Sequence, residues 1–285
     1  MSDSAYGALY VVATPIGNLD DLSPRAARLL GEVAVIAAED TRHSARLLRH
    51  LGLERPMLSL HEHNEAARVT QLAERLMAGD DVALISDAGT PLICDPGFVL
   101  VRELRDAGHR IVPVPGPCAL VAGLSAAGLP TDRFTFIGFL PAKSAARRAR
   151  LEGLAGRDET LVCYESPHRI RDTLADLAAV LGERRVVLAR ELTKTFETFL
   201  DGSAERLLAR MQEDPDQARG EFVVMIGGAP PREEADQALL EADQLLAALL
   251  AEGVGVKQAA SVATRVLGGA KKSWYARAQA LKDAG

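Results

Sequence analysis

Ten short apolar runs punctuate the chain, at residues 9–13, 33–38, 57–60, 82–85, 111–114, 134–139, 160–164, 186–190, 196–200 and 222–227. Most stop at a turn rich in Gly, Pro or polar residues, and helical patterns fill most of the intervals. Strand alternating with helix implies a parallel sheet with helices on both faces. Ligands of such sheets bind beyond the carboxyl ends of the strands, and here nearly every polar signature follows a strand. The run at 82–85 is the clearest case. Val82, Ala83, Leu84 and Ile85 give way to Ser86, Asp87, Ala88, Gly89, Thr90 and Pro91, and Asp95-Pro96-Gly97 leads into a helix near Phe98. Gly89 and Gly97 permit close backbone approach or a positive φ, and Asp87 offers a carboxylate. The plainer reading is an ordinary strand-to-helix turn with Asp95 as N-cap.

Ser23-Pro24 starts a helix as N-cap and first-turn proline. Further helices are expected at about 65–78, 98–107, 144–154, 168–181 and 203–213. The run at 196–200 follows its predecessor too closely for a helical crossover, so an antiparallel pair is expected there. The organisation is an N-terminal α/β domain over 1–117, a second over 118–230, and a helical domain over 231–285 behind a linker at 229–236. In that last part Leu239, Leu245, Leu246, Leu249 and Leu250 form one apolar face. Two helices, at 257–267 and 273–281, then flank Gly268-Gly269 in the manner of a helix-turn-helix.

The net charge of −6 gives no global signature for nucleic acid. Basic residues are nevertheless concentrated. Arg42, Arg46 and Arg49 share a helix face. Lys143, Arg147, Arg148 and Arg150 form a second group. Lys271 and Lys272 lie in a C-terminal stretch where Lys257, Arg265, Arg277 and Lys282 are also basic. The three cysteines are too scattered for a disulfide framework or zinc site, which fits a reducing compartment. The N-terminus lacks the basic and apolar regions of a signal peptide, and prolines interrupt the longest apolar stretch, so a soluble cytoplasmic protein is expected. Neither GxGxxG nor a P-loop occurs, which speaks against a dinucleotide or nucleotide site of those kinds. His61 and His63 lack a third metal ligand, so no metal is expected.

TPIGNLDD, AEDTR, LHEHNE, SDAGTPLICDPG, PVPGPCA, FIGFLP, YESPHR, ARELTK and GEFVV follow one another in this order. Together they resemble the tetrapyrrole-methylase superfamily, and within it the branch that methylates the small ribosomal subunit. The resemblance covers nearly the whole chain. It implies two αβα domains of the class III methyltransferase type, with S-adenosylmethionine bound in the cleft between them. It also implies 2′-O-methylation of a decoding-centre cytidine in 16S rRNA, on the 30S subunit, by a homodimer. Matched position by position, it points to Asp87, Ala88, Gly89, Ile93, Cys94, Cys118, Ala119, Tyr164 and Leu192 as cofactor contacts. After ARELTK only Glu197 stands where the pattern has two adjacent acidic residues.

Methyl transfer from a sulfonium demands mainly positioning and exclusion of water. A ribose hydroxyl is a weak acid, so a base or polarising group within reach would help. Asp40, Glu165, His168, Glu191 and Lys194 are the candidates on the sheet edge, and the Glu165/His168 and Glu191/Lys194 group is favoured for catalysis. Each could instead be a cap or a salt bridge. The basic clusters are candidates for phosphate contacts, Arg42, Arg46, Arg49, Lys143, Arg147, Arg148, Lys271 and Lys272 foremost. Aromatics are only 4% of the chain, so no broad base-stacking platform is expected. Two other readings stay open: a tetrapyrrole C-methyltransferase on the same scaffold, and a non-catalytic ribosome-assembly protein.

Overall fold

The computed structural model describes residues 6–61, 64–230, 234–268 and 271–284, with the backbone alone over 234–241 and at residue 284. His63 and Glu62 of the LHEHNE stretch, and the side chain of Leu239, lie outside these residues. Two compact units are present, one ending at Ala229 and one beginning at Pro230.

The first unit contains two sheets. β1 (Ala8–Val12), β2 (Val35–Ala38), β3 (Met57–Ser59), β4 (Val82–Ile85) and β5 (Arg110–Val114) form a parallel sheet in the order β3-β2-β4-β1-β5. β2 and β4 are buried at every residue, which is why they read as unbroken apolar runs rather than alternating ones. α1 (Pro24–Glu32) and α2 (Thr41–His50) cover one face, on Val12, Ile36, Ala83 and Ile85. α3 (Glu65–Met77) and α4 (Phe98–Asp106) cover the other, on Leu9, Val35, Val82 and Leu84. The chain therefore leaves β1 and β4, which are neighbours, toward opposite faces. That makes the gap between their carboxyl ends the topological switch point, where open α/β sheets take ligands.

The second sheet departs from the expected parallel pattern. β6 (Phe134–Phe139), β7 (Thr160–Glu165), β8 (Arg185–Arg190), β9 (Thr198–Ser203) and β10 (Phe222–Ile226) run in the order β6-β7-β10-β8-β9, and only β6 and β7 pair in parallel. Seven residues, 191–197, join β8 to β9. That is too few for a crossover, so β9 turns back antiparallel, as expected. α8 (Ala204–Glu213) then carries the chain across β8 and delivers β10 antiparallel to both β7 and β8. With α6 (Ser144–Glu152) and α7 (Ile170–Leu181), α8 buries one face of this sheet. The other face is covered by α5 (Ala119–Ala126), a helix the sequence did not announce, through Leu120 and Leu124 against Val162, Val187 and Val223.

The second unit is α9 (Glu234–Ala251), α10 (Val256–Leu267) and α11 (Lys271–Ala284). Leu246, Ala259, Ala263 and Ala278 are its buried centre, with Leu249, Leu250 and Trp274 packed around them. Leu245 is half-buried and outside that cluster. Arg277 on α11 makes an ion pair with Asp243 on α9. Among the described residues no helix is long and apolar enough to cross a membrane.

Candidate active site

Loops from both sheets close around a cavity of about 340 Å³. One wall is the segment after β4. Thr14 and Gly89 exchange backbone hydrogen bonds, 2.9 Å from Thr14 N to Gly89 O and 3.1 Å in return. Thr90 Oγ1 donates to Pro117 O at 3.0 Å. The segment is thus tied to the turns after β1 and β5. These ties hold Leu92 and Cys94 at φ 73° and 68°, a left-handed conformation that costs non-glycine residues about 1 kcal/mol each. The N-cap of α4 is Gly97, at φ 124°. Asp95 is therefore not the cap; it lines the cavity instead.

Burial pushes the Asp95 carboxyl up to about 6. A hydrogen bond with Ser86 opposes the shift, and repulsion from Glu39 and Asp87 adds to it. Asp87 does not line the cavity. Its Oδ1 accepts from Asp40 N at 3.1 Å, and its own N donates to Glu39 Oε2 at 3.4 Å. It is a strut between the turns after β4 and β2. Asp40 caps α2 through Arg42 N, and hydrogen bonding with Arg42 holds its carboxyl down near 2.

The opposite wall comes from the second sheet. Tyr164, one residue before the end of β7, has its ring edge-on to Phe136 and Phe139, at centroid distances of 4.9 and 5.9 Å. Its hydroxyl accepts from Leu120 N at 3.2 Å, pinning the start of α5, and burial raises the phenol's pKa. After β8, Glu191 and Thr193 adopt φ 49° and 65°. Glu191 Oε1 accepts from Lys194 Nζ at 2.9 Å and from Glu221 N at 3.0 Å, while Lys194 Nζ also reaches Glu221 Oε2 at 2.9 Å. Burial alone would lower the lysine, but its two carboxylate partners outweigh this and raise it. Burial would likewise raise Glu191, yet hydrogen bonds from Lys194 and the Glu221 backbone hold it low. Gly220 makes room: a Cβ there would come within 2.3 Å of Glu191 Cγ. A Cβ on Gly17 would stand 2.5 Å from Lys194 Cγ, so the turn after β1 rests directly on this wall.

Eight of the nine expected cofactor residues, Ala88, Gly89, Ile93, Cys94, Cys118, Ala119, Tyr164 and Leu192, line this one cavity; Asp87 supports it from outside. Of the expected catalytic group, Glu191 and Lys194 meet here. Glu165 touches the cavity, but its carboxylate is buried and committed to Ser166 N, Thr173 Oγ1 and Arg169. His168 is exposed and is not among the lining residues. The expected convergence of four titratable groups is thus reduced to two. Asp95, read as a helix cap, and Phe139 and Glu221, within the FIGFLP and GEFVV motifs but given no site role, also line the cavity. No group of three or more potential metal ligands occurs among the described residues.

The basic clusters also sort themselves. Arg46, Arg49, Lys143, Lys271 and Lys272 are exposed, and so is Arg42, despite its pairing with Asp40. Arg147 is not a surface group: it is 2% exposed and paired with Asp176 at 2.7 Å, which corrects its place among the phosphate contacts. Arg148 shares that aspartate, half-exposed.

A doubly wound parallel sheet facing a mixed sheet across a largely apolar cavity edged with carboxylates defines a two-lobed α/β body with a cavity of small-molecule size. The chain belongs to the tetrapyrrole (corrin/porphyrin) methylase family, whose model matches residues 8–208. Residues 234–282 match the RsmI C-terminal HTH domain. The chain is 55% identical over 275 residues to the ribosomal RNA small subunit methyltransferase I of Pseudomonas aeruginosa, covering 95% of this chain and 96% of that one. It is 49% identical to the protein of the same name in Escherichia coli O157:H7, over 96% of this chain and 95% of that one. Among solved structures, the methyltransferase CobJ superimposes with a TM-score of 0.58 at 23% identity, over 80% of this chain and 96% of that one. Diphthine synthase reaches 0.58 at 14% identity, over 81% and 93%. At such identities these two share the fold.

Proposed function

We propose that the chain is an S-adenosylmethionine-dependent methyltransferase acting on the 2′-hydroxyl of a decoding-centre cytidine of 16S rRNA within the 30S subunit. The observation that carries this reading is the presence, in one chain, of the lined cavity and of a C-terminal domain matching that of the ribosomal relatives. The residues fit the cofactor. The cavity volume lies within the range of small-molecule sites, roughly 300–1,000 Å³. Ala88, Gly89, Cys118 and Ala119 are small, so a ligand can reach the backbone. The carboxylates of Asp95 and Glu191 complement a cationic ligand. When bound, S-adenosylmethionine supplies a methyl group already activated on a sulfonium. The protein then has to hold the donor, align the hydroxyl and keep water out.

In this arrangement Ala88, Gly89, Ile93, Cys94, Cys118, Ala119, Tyr164 and Leu192 hold the donor. Lys194 keeps its proton at neutral pH and so polarises rather than accepts. Glu191, Asp95 and Glu221 are the lining carboxylates available to take the hydroxyl proton. The exposed Arg46, Arg49, Lys143, Lys271 and Lys272, with Arg42, provide phosphate contacts that hold a structured target by its backbone. The same reading makes the protein a cytoplasmic homodimer. Purified protein incubated with donor and hypomethylated 30S subunits tests it by mass mapping of 16S rRNA. The expected product is one added methyl on a cytidine ribose. Absence of transfer, or turnover of a precorrin instead, would contradict it.

A further inference from the structure

Phe139 is a large apolar side chain that the fold spends on no core. It is 54% exposed, yet it lines the cavity beside Tyr164. Its position results from a defect in the sheet. β6 pairs with β7 in register from Phe134 to Phe136, opposite Thr160 to Val162. The next pair is Phe139 with Tyr164, so β6 carries one residue more than β7 between the two pairs. Gly138, inside that bulge, adopts φ 66°.

Side chains alternate along a strand, and a one-residue slip exchanges the faces. Phe136 and Tyr164 pack on the α5 side of the sheet, whereas Ile137 packs on the opposite side. In an unbroken strand Phe139 would follow Ile137 to that opposite side. The bulge turns it to the cavity instead, a re-aiming for which β-bulges near active sites are known. A Cβ at Gly138 would stand 3.6 Å from Cys94 Sγ, so the bulge also lies against the loop from the first sheet. The ring thus sits at the rim, where cofactor loop, aromatic cluster and solvent meet. None of Phe98, Phe134 and Phe196, the other exposed phenylalanines among the described residues, lines the cavity.

We propose that Phe139, re-aimed by the β6 bulge, is the stacking surface for a planar heteroaromatic ring entering the cavity, and that this ring is the base of the target nucleotide. The inference rests on the RNA-methyltransferase reading. A half-exposed rim position suits a base presented by a macromolecule. The adenine of a small donor would lie further in, against Ala119 and Leu192, the latter only 8% exposed.

The test compares wild type with Phe139→Leu and Phe139→Tyr, reading steady-state methylation of hypomethylated 30S subunits and, separately, calorimetric affinity for S-adenosylhomocysteine. Base–aromatic stacking predicts a loss in kcat/KM for 30S of about 5- to 100-fold in F139L. F139Y should stay within a few-fold of wild type, and the calorimetric affinity should be unchanged in both. Equal kcat/KM in F139L and wild type would overturn the proposal, as would equal losses in F139L and F139Y. A matching loss of S-adenosylhomocysteine affinity in F139L would assign the ring to the donor's adenine and overturn the choice of base. If wild type itself transfers no methyl to 30S, the functional reading falls and takes this inference with it; an active wild type with an unaffected F139L removes the stacking role alone.

Discussion

Asp95 carries the most informative charge in the cavity. Its folded pKa near 6 lies above the ordinary 3.8, with burial as the first cause. The folded state therefore binds the extra proton between those two values, and ionisation costs stability as pH rises through them. A shift of this size corresponds to at most about 3 kcal/mol, and to nearer 1 for a half-exposed carboxyl screened by solvent. Asp95→Asn is expected to be more stable than wild type at pH 7.5 without donor, with the difference vanishing near pH 4. Urea unfolding at the two pH values checks this, and an identical pH profile in both proteins would contradict it. At this scale the sequence was only partly legible. The Asp-Pro-Gly run reads as a helix cap because local pattern cannot see that Gly97 takes the cap. Asp87 reads as a cofactor contact, and its bridging of two turns was hidden because its partners Asp40 and Glu39 come from a turn about 47 residues away. Glu165 and His168 stand three residues apart in sequence, yet one points into the core and the other into solvent.

Elements depend on two buried carboxylates. Asp176 on α7 binds Arg147, Arg148 and Ser144, so it fastens α6 to α7. Burial alone would raise its pKa, but these three hydrogen bonds hold it below the usual range. Its contribution is therefore present at neutral pH and is lost as pH falls through the depressed value. Asp176→Ala strands Arg147, which is 2% exposed, and is expected to cost about 3–5 kcal/mol. Chemical denaturation measures this; a loss below 1 kcal/mol would show that Arg147 finds another partner. Glu65 on α3 accepts from Leu100 N at 2.8 Å, capping α4 where Gly97 has no side chain to do so. Glu65→Ala is expected to lose about 1–3 kcal/mol, by the same measurement. Most elements were readable because apolar runs and turn residues are local signals. α5 was not. Its sequence, ALVAGLSA, is apolar on all sides and follows three prolines, so no helical period announces it. The order of the second sheet was hidden as well, since β10 inserts between strands by long-range pairing.

The whole molecule joins a cavity-bearing body to a helical unit with its own core. A chain ending at Ala229 is expected to keep its affinity for S-adenosylhomocysteine within about threefold while losing most methylation of 30S subunits; among the described residues the second unit's core runs from Leu246 to Leu281 and includes none from either sheet, so its removal is expected to leave both sheets intact. Retained 30S activity would assign RNA contact to the body alone. Lys271→Gln with Lys272→Gln is expected to weaken 30S binding and to reduce the slope of log K against log salt by about 2. An unchanged slope would mean that these lysines touch no phosphate. The overall charge of −6 hides this division of labour, because composition averages over both units.

A crystal structure with S-adenosylhomocysteine bound tests the arrangement most directly. The prediction is density between the loop at 86–97 and Tyr164, touching Ala88, Ala119 and Leu192. Density lodged elsewhere, or a saturated crystal with that cavity empty, would contradict it.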